Sequence, residues 1–129
     1  MKRNGYVSND RTAVTDLEIA ATQQILCKEK GYNYVPTSLD SKLGFAITTQ
    51  GRVPINGLRH PPSGDTYGWY IWCGEELSQD PDFFAPLHSR HLVERCPEVI
   101  RFLGLPPGCR FLVAGDYVDI WFDESLLTV

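Results

Sequence analysis

Polar and apolar residues change period several times along this chain, and each change marks an element. Over residues 16–30 the spacing is helical, and Leu17, Ala20, Ala21 and Ile25 form a stripe expected to face a core. Thr15 and Glu18 make the T-x-x-E capping box, Val14 and Ile19 are placed for a hydrophobic staple, and Gly31 behind Lys28 and Lys30 stops the helix. In GFAITTQGR, Gly44 to Arg52, the period falls to two, with Phe45, Ile47 and Thr49 alternating with smaller residues, so a short strand is expected. The next run, NGLRHPPSGDTYG from Asn56 to Gly68, is dense in turn residues and reads as a loop.

GWYIWCGEE, residues 68–76, is the most apolar strand candidate. Trp69, Ile71 and Cys73 should point to one side and Tyr70 and Trp72 to the other, so both faces need cover, or one face is kept for a partner. If only one face meets the core, Trp72 is the tryptophan expected to be exposed, while Trp69 and Trp121 lie against the first helix through a shared sheet. Pro81 suits a first helical position with Asp80 as N-cap, and residues 81–103 read as one broken or two short helices, with the break at Pro97 and the end at Gly104. CRFLVAGDYVDIWFDE then has two apolar runs about Ala-Gly-Asp, the pattern of an antiparallel hairpin. The expected class is α+β: a mainly antiparallel sheet with an N-terminal helix and a short broken helix before a C-terminal hairpin.

With 129 residues, the chain fits one domain that buries roughly two thirds of its unfolded surface and needs neither metal nor disulfide to fold. No apolar run reaches the ~20 residues of a membrane span. MKRNGYVSND has no apolar stretch behind its basic residues, which argues against a secretory signal and for a cytoplasmic protein. Cys27, Cys73, Cys96 and Cys109 are scattered singly, as reduced and mostly buried thiols would be.

Charge changes the picture more. Residues 1–60 hold eight Lys or Arg against five Asp or Glu, whereas residues 61–129 hold four against eleven. No cation occurs between Arg59 and Arg90, where Asp65, Glu75, Glu76, Asp80 and Asp82 all fall. A negative field is expected after the aromatic strand, and nucleic acid is an unfavourable ligand for it.

Candidate chemistry is sparse. His88 and His91 would share a helix face, with Cys96 beyond and His60 elsewhere, but this loose spacing matches no metal-ligand signature, and no metal or cofactor is expected. Carboxylates recur in pairs: Glu75 with Glu76, Asp80 with Asp82, Asp116 with Asp119, and Asp123 with Glu124. General acid and base catalysis would need two of them at fixed separation in a cleft. No nucleophile elbow, phosphate-binding glycine loop or H-E-x-x-H occurs, so a solvated acidic face is the expectation.

GWYIWCGEE, DPDFFAPLHSRHL, FLGLPPGCRFL and DYVDIWFDESLL, in that order, resemble the pattern of immunity protein family thirty-three, small bacterial proteins of polymorphic toxin systems. The resemblance spans about residues 57–127. It implies a protein that neutralises a cognate toxin by binding it, and it names no particular toxin. The candidate contact residues are then Trp72 and the carboxylates Glu75, Glu76, Asp80, Asp82, Asp116, Asp119, Asp123 and Glu124. Two other classes stay open: an enzyme with carboxylates and His88 or His91 around a pocket, and a small-ligand module using the aromatic strand as one wall.

Overall fold

The computed structural model describes residues 15–128. Helix α1, Asp16–Lys30, has the predicted ends: Thr15 Oγ1 accepts from the Glu18 amide at 3.1 Å, the Thr15 amide donates to Glu18 Oε1 at 3.0 Å, and Gly31 closes the helix at φ 80°. Val14 of the expected staple lies outside the described residues. Six strands follow, β1 Lys42–Phe45, β2 Ile55–Arg59, β3 Thr66–Cys73, β4 Ala85–His88, β5 Cys109–Ala114 and β6 Tyr117–Phe122, with helix α2 at Ser89–Arg95. They form one sheet in the order β4-β1-β3-β2-β5-β6, antiparallel at every pairing except β1 with β3. The α+β class and the C-terminal hairpin are as expected.

One face of the sheet carries the main core. Leu43, Phe45, Trp69, Ile71, Leu87, Cys109, Phe111 and Val113 meet Ile19 and Cys27 of α1, Leu92 of α2, and Val99, Ile100 and Phe102 of the 3-10 helix Pro97–Phe102. Phe102 stacks on Phe111 at 4.4 Å between ring centroids, and Trp69 is wholly buried. Its indole N–H is shared between Thr37 Oγ1 at 3.1 Å and the Leu103 carbonyl at 3.2 Å, so the polar edge of the ring is satisfied. The opposite face is covered over a smaller area, where Ala46, Leu58, Trp72 and Leu126 pack with Tyr70, Phe83 and Phe84.

Several expectations fail for identifiable reasons. The buried face of α1 is Ile19, Gln23 and Cys27, while Leu17 and Ile25 are 83% and 59% exposed. Helix docking is directed here by polar bonds: Gln23 Nε2 donates to the Ile100 carbonyl at 2.8 Å, and Cys27 Sγ donates to the Gly104 carbonyl at 3.3 Å. The strand expected over residues 44–52 stops at Phe45, and a 3-10 turn at Ile47–Thr49 follows. That turn lets Thr49 Oγ1 accept from the Cys73 amide at 2.9 Å, capping the end of β3.

The Asn56–Gly68 loop begins instead with a central strand. β2 runs through Asn56 and Gly57 because a Cβ at Gly57 would overlap the Phe111 ring on β5, so glycine serves close packing here and not a turn. Pro81 starts no helix. Asp80 Oδ1 accepts from the Asp82 amide at 2.9 Å in a tight turn, Phe83 and Phe84 pack over the second face, and β4 intervenes before α2. The break at Pro97 is where expected.

Trp121 is also placed differently from expectation. It is half-buried on the face away from α1, because its neighbour across the hairpin is Arg110, whose guanidinium lies 5.4 Å from the ring centroid.

Candidate partner-binding surface

The second face of the sheet is where the sequence-predicted groups converge, and it is only partly covered. Side chains alternate along β3, so Tyr70 and Trp72 both point to it, and β2 adds Leu58 from the neighbouring register position. The segment after Gly74 doubles back over them with Leu77, Phe83 and Phe84. Phe84 meets Tyr70 edge-on at 5.2 Å and Trp72 at 6.1 Å between centroids, and Phe83 meets Phe84 at 4.9 Å.

Trp72 therefore corrects its expectation. It is 3% exposed, lies beneath Phe84, and cannot itself present a contact surface. Its indole N–H has no hydrogen-bond partner among the described residues, which hold the ring by apolar packing. What remains open beside it is a hollow of about 400 Å³, walled by Leu58, His60, Tyr70, Leu77 and Phe84. His60 turns edge-on to Tyr70 at 5.6 Å and its Nδ1 is 3.0 Å from the Leu126 carbonyl, which ties the C-terminal segment to the rim. The sequence reading missed Tyr70, Phe84 and this use of His60, although the two-residue period of β3 and the adjacent Phe83 and Phe84 were the available signals.

The carboxylates are divided rather than joined. Glu75, Glu76, Asp80 and Asp82 are exposed in the loop between β3 and β4. Asp116 occupies the β5–β6 turn at the same end of the sheet, since Cys73 is aligned with Ile55, Ile55 with Val113, and Ala114 with Tyr117. Asp119 lies on the second face of β6, opposite Leu112. Asp123 and Glu124 sit at the far end of β6, about 20 Å away at the usual rise per strand residue, beyond a Debye length of roughly 8 Å. The Arg52 side chain lies against Gly74, at the start of this loop.

Asp123 is occupied internally. Ser125 Oγ and the Ser125 amide both donate to its Oδ1, at 2.6 and 3.1 Å, and Arg110 donates to Oδ2 at 3.3 Å. These bonds, with that from the Ser125 hydroxyl foremost, hold its carboxyl below the ordinary aspartate value. Asp16, Arg90 and Asp40 form a second, exposed ion-pair network away from this face.

His88 and His91 do approach one another, with ring centroids 5.7 Å apart, and both are exposed. Among the described residues no group of three His, Cys, Asp or Glu side chains is placed to hold a metal ion. All four cysteines are free and buried. Burial pushes the Cys96 thiol up to about 12 and the Cys109 thiol up to about 11. Neither is poised as a nucleophile near neutral pH.

One buried charge was not anticipated. Arg59, wholly inaccessible, donates from Nε to the Tyr67 carbonyl at 2.9 Å and from Nη1 to the Val35 and Leu105 carbonyls, each at 2.7 Å. Its guanidinium lies 5.7 Å from the Trp69 ring centroid, and burial draws it down to about 10, still charged at neutral pH. It ties two loops to β3 and is not open to a ligand.

The frame that carries this surface, from the second turn of α1 to the end of β6, coincides with the span of a known family: the Imm33-like domain matches residues 22–123. The chain belongs to the Imm33-like domain family. The match reaches well before residue 57, so β1 and α1 from residue 22 onward belong with the four aromatic-rich blocks. No curated protein and no solved structure matches the chain. In this Imm33-like chain no helix among the described residues is long and apolar enough to cross a membrane.

Proposed function

We propose that this protein neutralises a cognate protein toxin in the cytoplasm by binding it, without a cofactor and without catalysis of its own. Membership of an immunity-protein family is the observation that carries this reading. The surface is compatible with it in two respects. The exposed carboxylates of the β3–β4 loop, with Asp116, would steer a basic partner, because a one-signed patch raises the rate of productive encounter. The aromatic hollow beside Tyr70 offers a pocket for one large side chain, the arrangement in which a few buried anchors supply most of the binding energy.

The hollow is also what most favours the reading as an enzyme or small-ligand module. Its wall, however, contains His60 and no Asp or Glu, so the acid–base pair that hydrolytic chemistry needs does not converge there. His88 and His91 lie outside it.

The test is co-expression with the product of the neighbouring reading frame. Restored growth together with a stable complex on co-purification supports the proposal. Failure to restore growth, or protection without any complex, counts against it.

A further inference from the structure

We propose that the outer edge of β6 receives an extended, basic segment of the partner by strand addition; the inference rests on the toxin-binding reading and adds the mode of recognition and the chemistry of the segment. The sheet ends at β6, and among the described residues no strand lies beyond it. The two edges of the sheet differ. β4 at the other end has four residues and contains Pro86, which cannot donate to a ladder, so that edge is short and guarded. β6 has six residues, Tyr-Val-Asp-Ile-Trp-Phe, with neither lysine nor proline, and its register with β5 runs from Tyr117 to Phe122 without a bulge.

The turn fixes which groups point outward. Gly115, at φ 60°, and Asp116 form a two-residue loop with Ala114 opposite Tyr117. Alternation of the antiparallel ladder then directs the backbone groups of Tyr117, Asp119 and Trp121 to β5, and those of Val118, Ile120 and Phe122 outward. Three amides and three carbonyls are thus offered along one edge, between Tyr117 and Phe122, which are 60% and 47% exposed.

Charge selects the occupant. Asp116 and Asp119 line this edge and Glu124 follows it, while Arg110, the cation of the adjoining strand, is engaged by Asp123 and Trp121. A second copy of the chain would bring a second set of these carboxylates against the first. A segment alternating β-branched and basic residues would satisfy the outward backbone groups and place its cations over Asp119 and beside Asp116.

The probe is a blocked hexapeptide alternating valine and lysine, added to the full-length protein, with valine–glutamate and backbone N-methylated valine–lysine peptides as controls. The valine–lysine peptide is expected to slow hydrogen exchange at the Val118, Ile120 and Phe122 amides by about tenfold or more, and the controls to leave them unchanged. Ile120→Pro removes an outward N–H, and Asp119→Lys reverses the local charge; each should abolish the protection. The N-methylated peptide keeps the test decisive if a variant does not fold. No protection by the valine–lysine peptide, or equal protection by the glutamate peptide, would overturn the proposal, as would protection that grows with protein concentration and so assigns the edge to a second copy. If folded Ile120→Pro and Asp119→Lys neutralise the co-expressed toxin as well as the parent chain does, strand addition falls while toxin binding stands. If the parent chain does not neutralise it, the underlying reading falls.

Discussion

Replacing Arg59 with methionine removes a charged donor from three carbonyls while keeping much of the volume of the side chain. The carbonyls of Val35, Tyr67 and Leu105 belong to the loop after α1, to β3 and to the loop before β5, and the guanidinium that joins them is fully buried. Hydrogen bonds to a charged donor contribute about 1.5 to 3 kcal/mol each, so three set an upper bound of about 9 kcal/mol. Against this stands the cost of keeping out of water a cation that no carboxylate among the described residues pairs, several kcal/mol that methionine would return. The net expectation for Arg59→Met is a loss of about 3 to 5 kcal/mol, the difference between that bound and that cost. Arg59→Lys keeps the charge but lacks the planar fork that reaches three acceptors, and should be nearly as damaging. Equilibrium unfolding in urea, monitored by tryptophan fluorescence, measures both variants. A loss below about 1 kcal/mol with an unchanged m-value would refute the idea that Arg59 braces these segments.

Trp72→Phe should change stability by no more than about 1 kcal/mol, since the indole N–H it removes is buried without a partner among the described residues; a loss above about 3 kcal/mol on denaturant unfolding would count against an unpaired N–H. Native protein at about pH 8 should give no reaction with a thiol reagent, and unfolding should release all four cysteines; fast native labelling of any one would contradict their burial and the raised Cys96 and Cys109 values. Charge reversal of Glu75 and Glu76 to lysine should slow association with the toxin about tenfold at low salt and less at high salt, with little change in stability, because steering is screened over a Debye length. Stopped-flow rates at two ionic strengths decide this, and an on-rate unaltered at both would remove the β3–β4 loop from the recognition surface.

What could be read from the sequence was local. The ends of α1 are legible because the capping box is formed by residues three apart, and the last hairpin because Ala-Gly-Asp meets the needs of a two-residue turn. The face of α1 was misjudged because Leu17, Ala21 and Ile25 satisfy helical periodicity as well as Ile19 and Cys27 do. The choice between them is made by Gln23, a polar residue whose buried partner, the Ile100 carbonyl, is distant in sequence. β2 was hidden for a similar reason. Asn-Gly signals a turn unless another strand needs the space above the glycine, and only the sheet supplies the Phe111 ring that does.

The candidate surface was partly legible. The acidic loop was evident from the absence of Lys and Arg between Arg59 and Arg90. Its separation from Asp123 and Glu124 depends on register, which puts the β5–β6 turn at the loop's end of the sheet and the end of β6 at the other. Trp72 was assigned to the correct face, but its cover by Phe84 comes from a segment that folds back instead of starting a helix at Pro81.

The central claim is that protection comes from occupation of the toxin and not from chemistry performed on it. Titration of purified toxin activity with increasing amounts of this protein tests that most directly. A binding protein should abolish activity in linear proportion to its amount, ending at a fixed molar ratio, with both chains recovered intact from the complex. Inactivation that continues with time at a small fraction of one equivalent, or that leaves the toxin altered after the protein is removed, would contradict it.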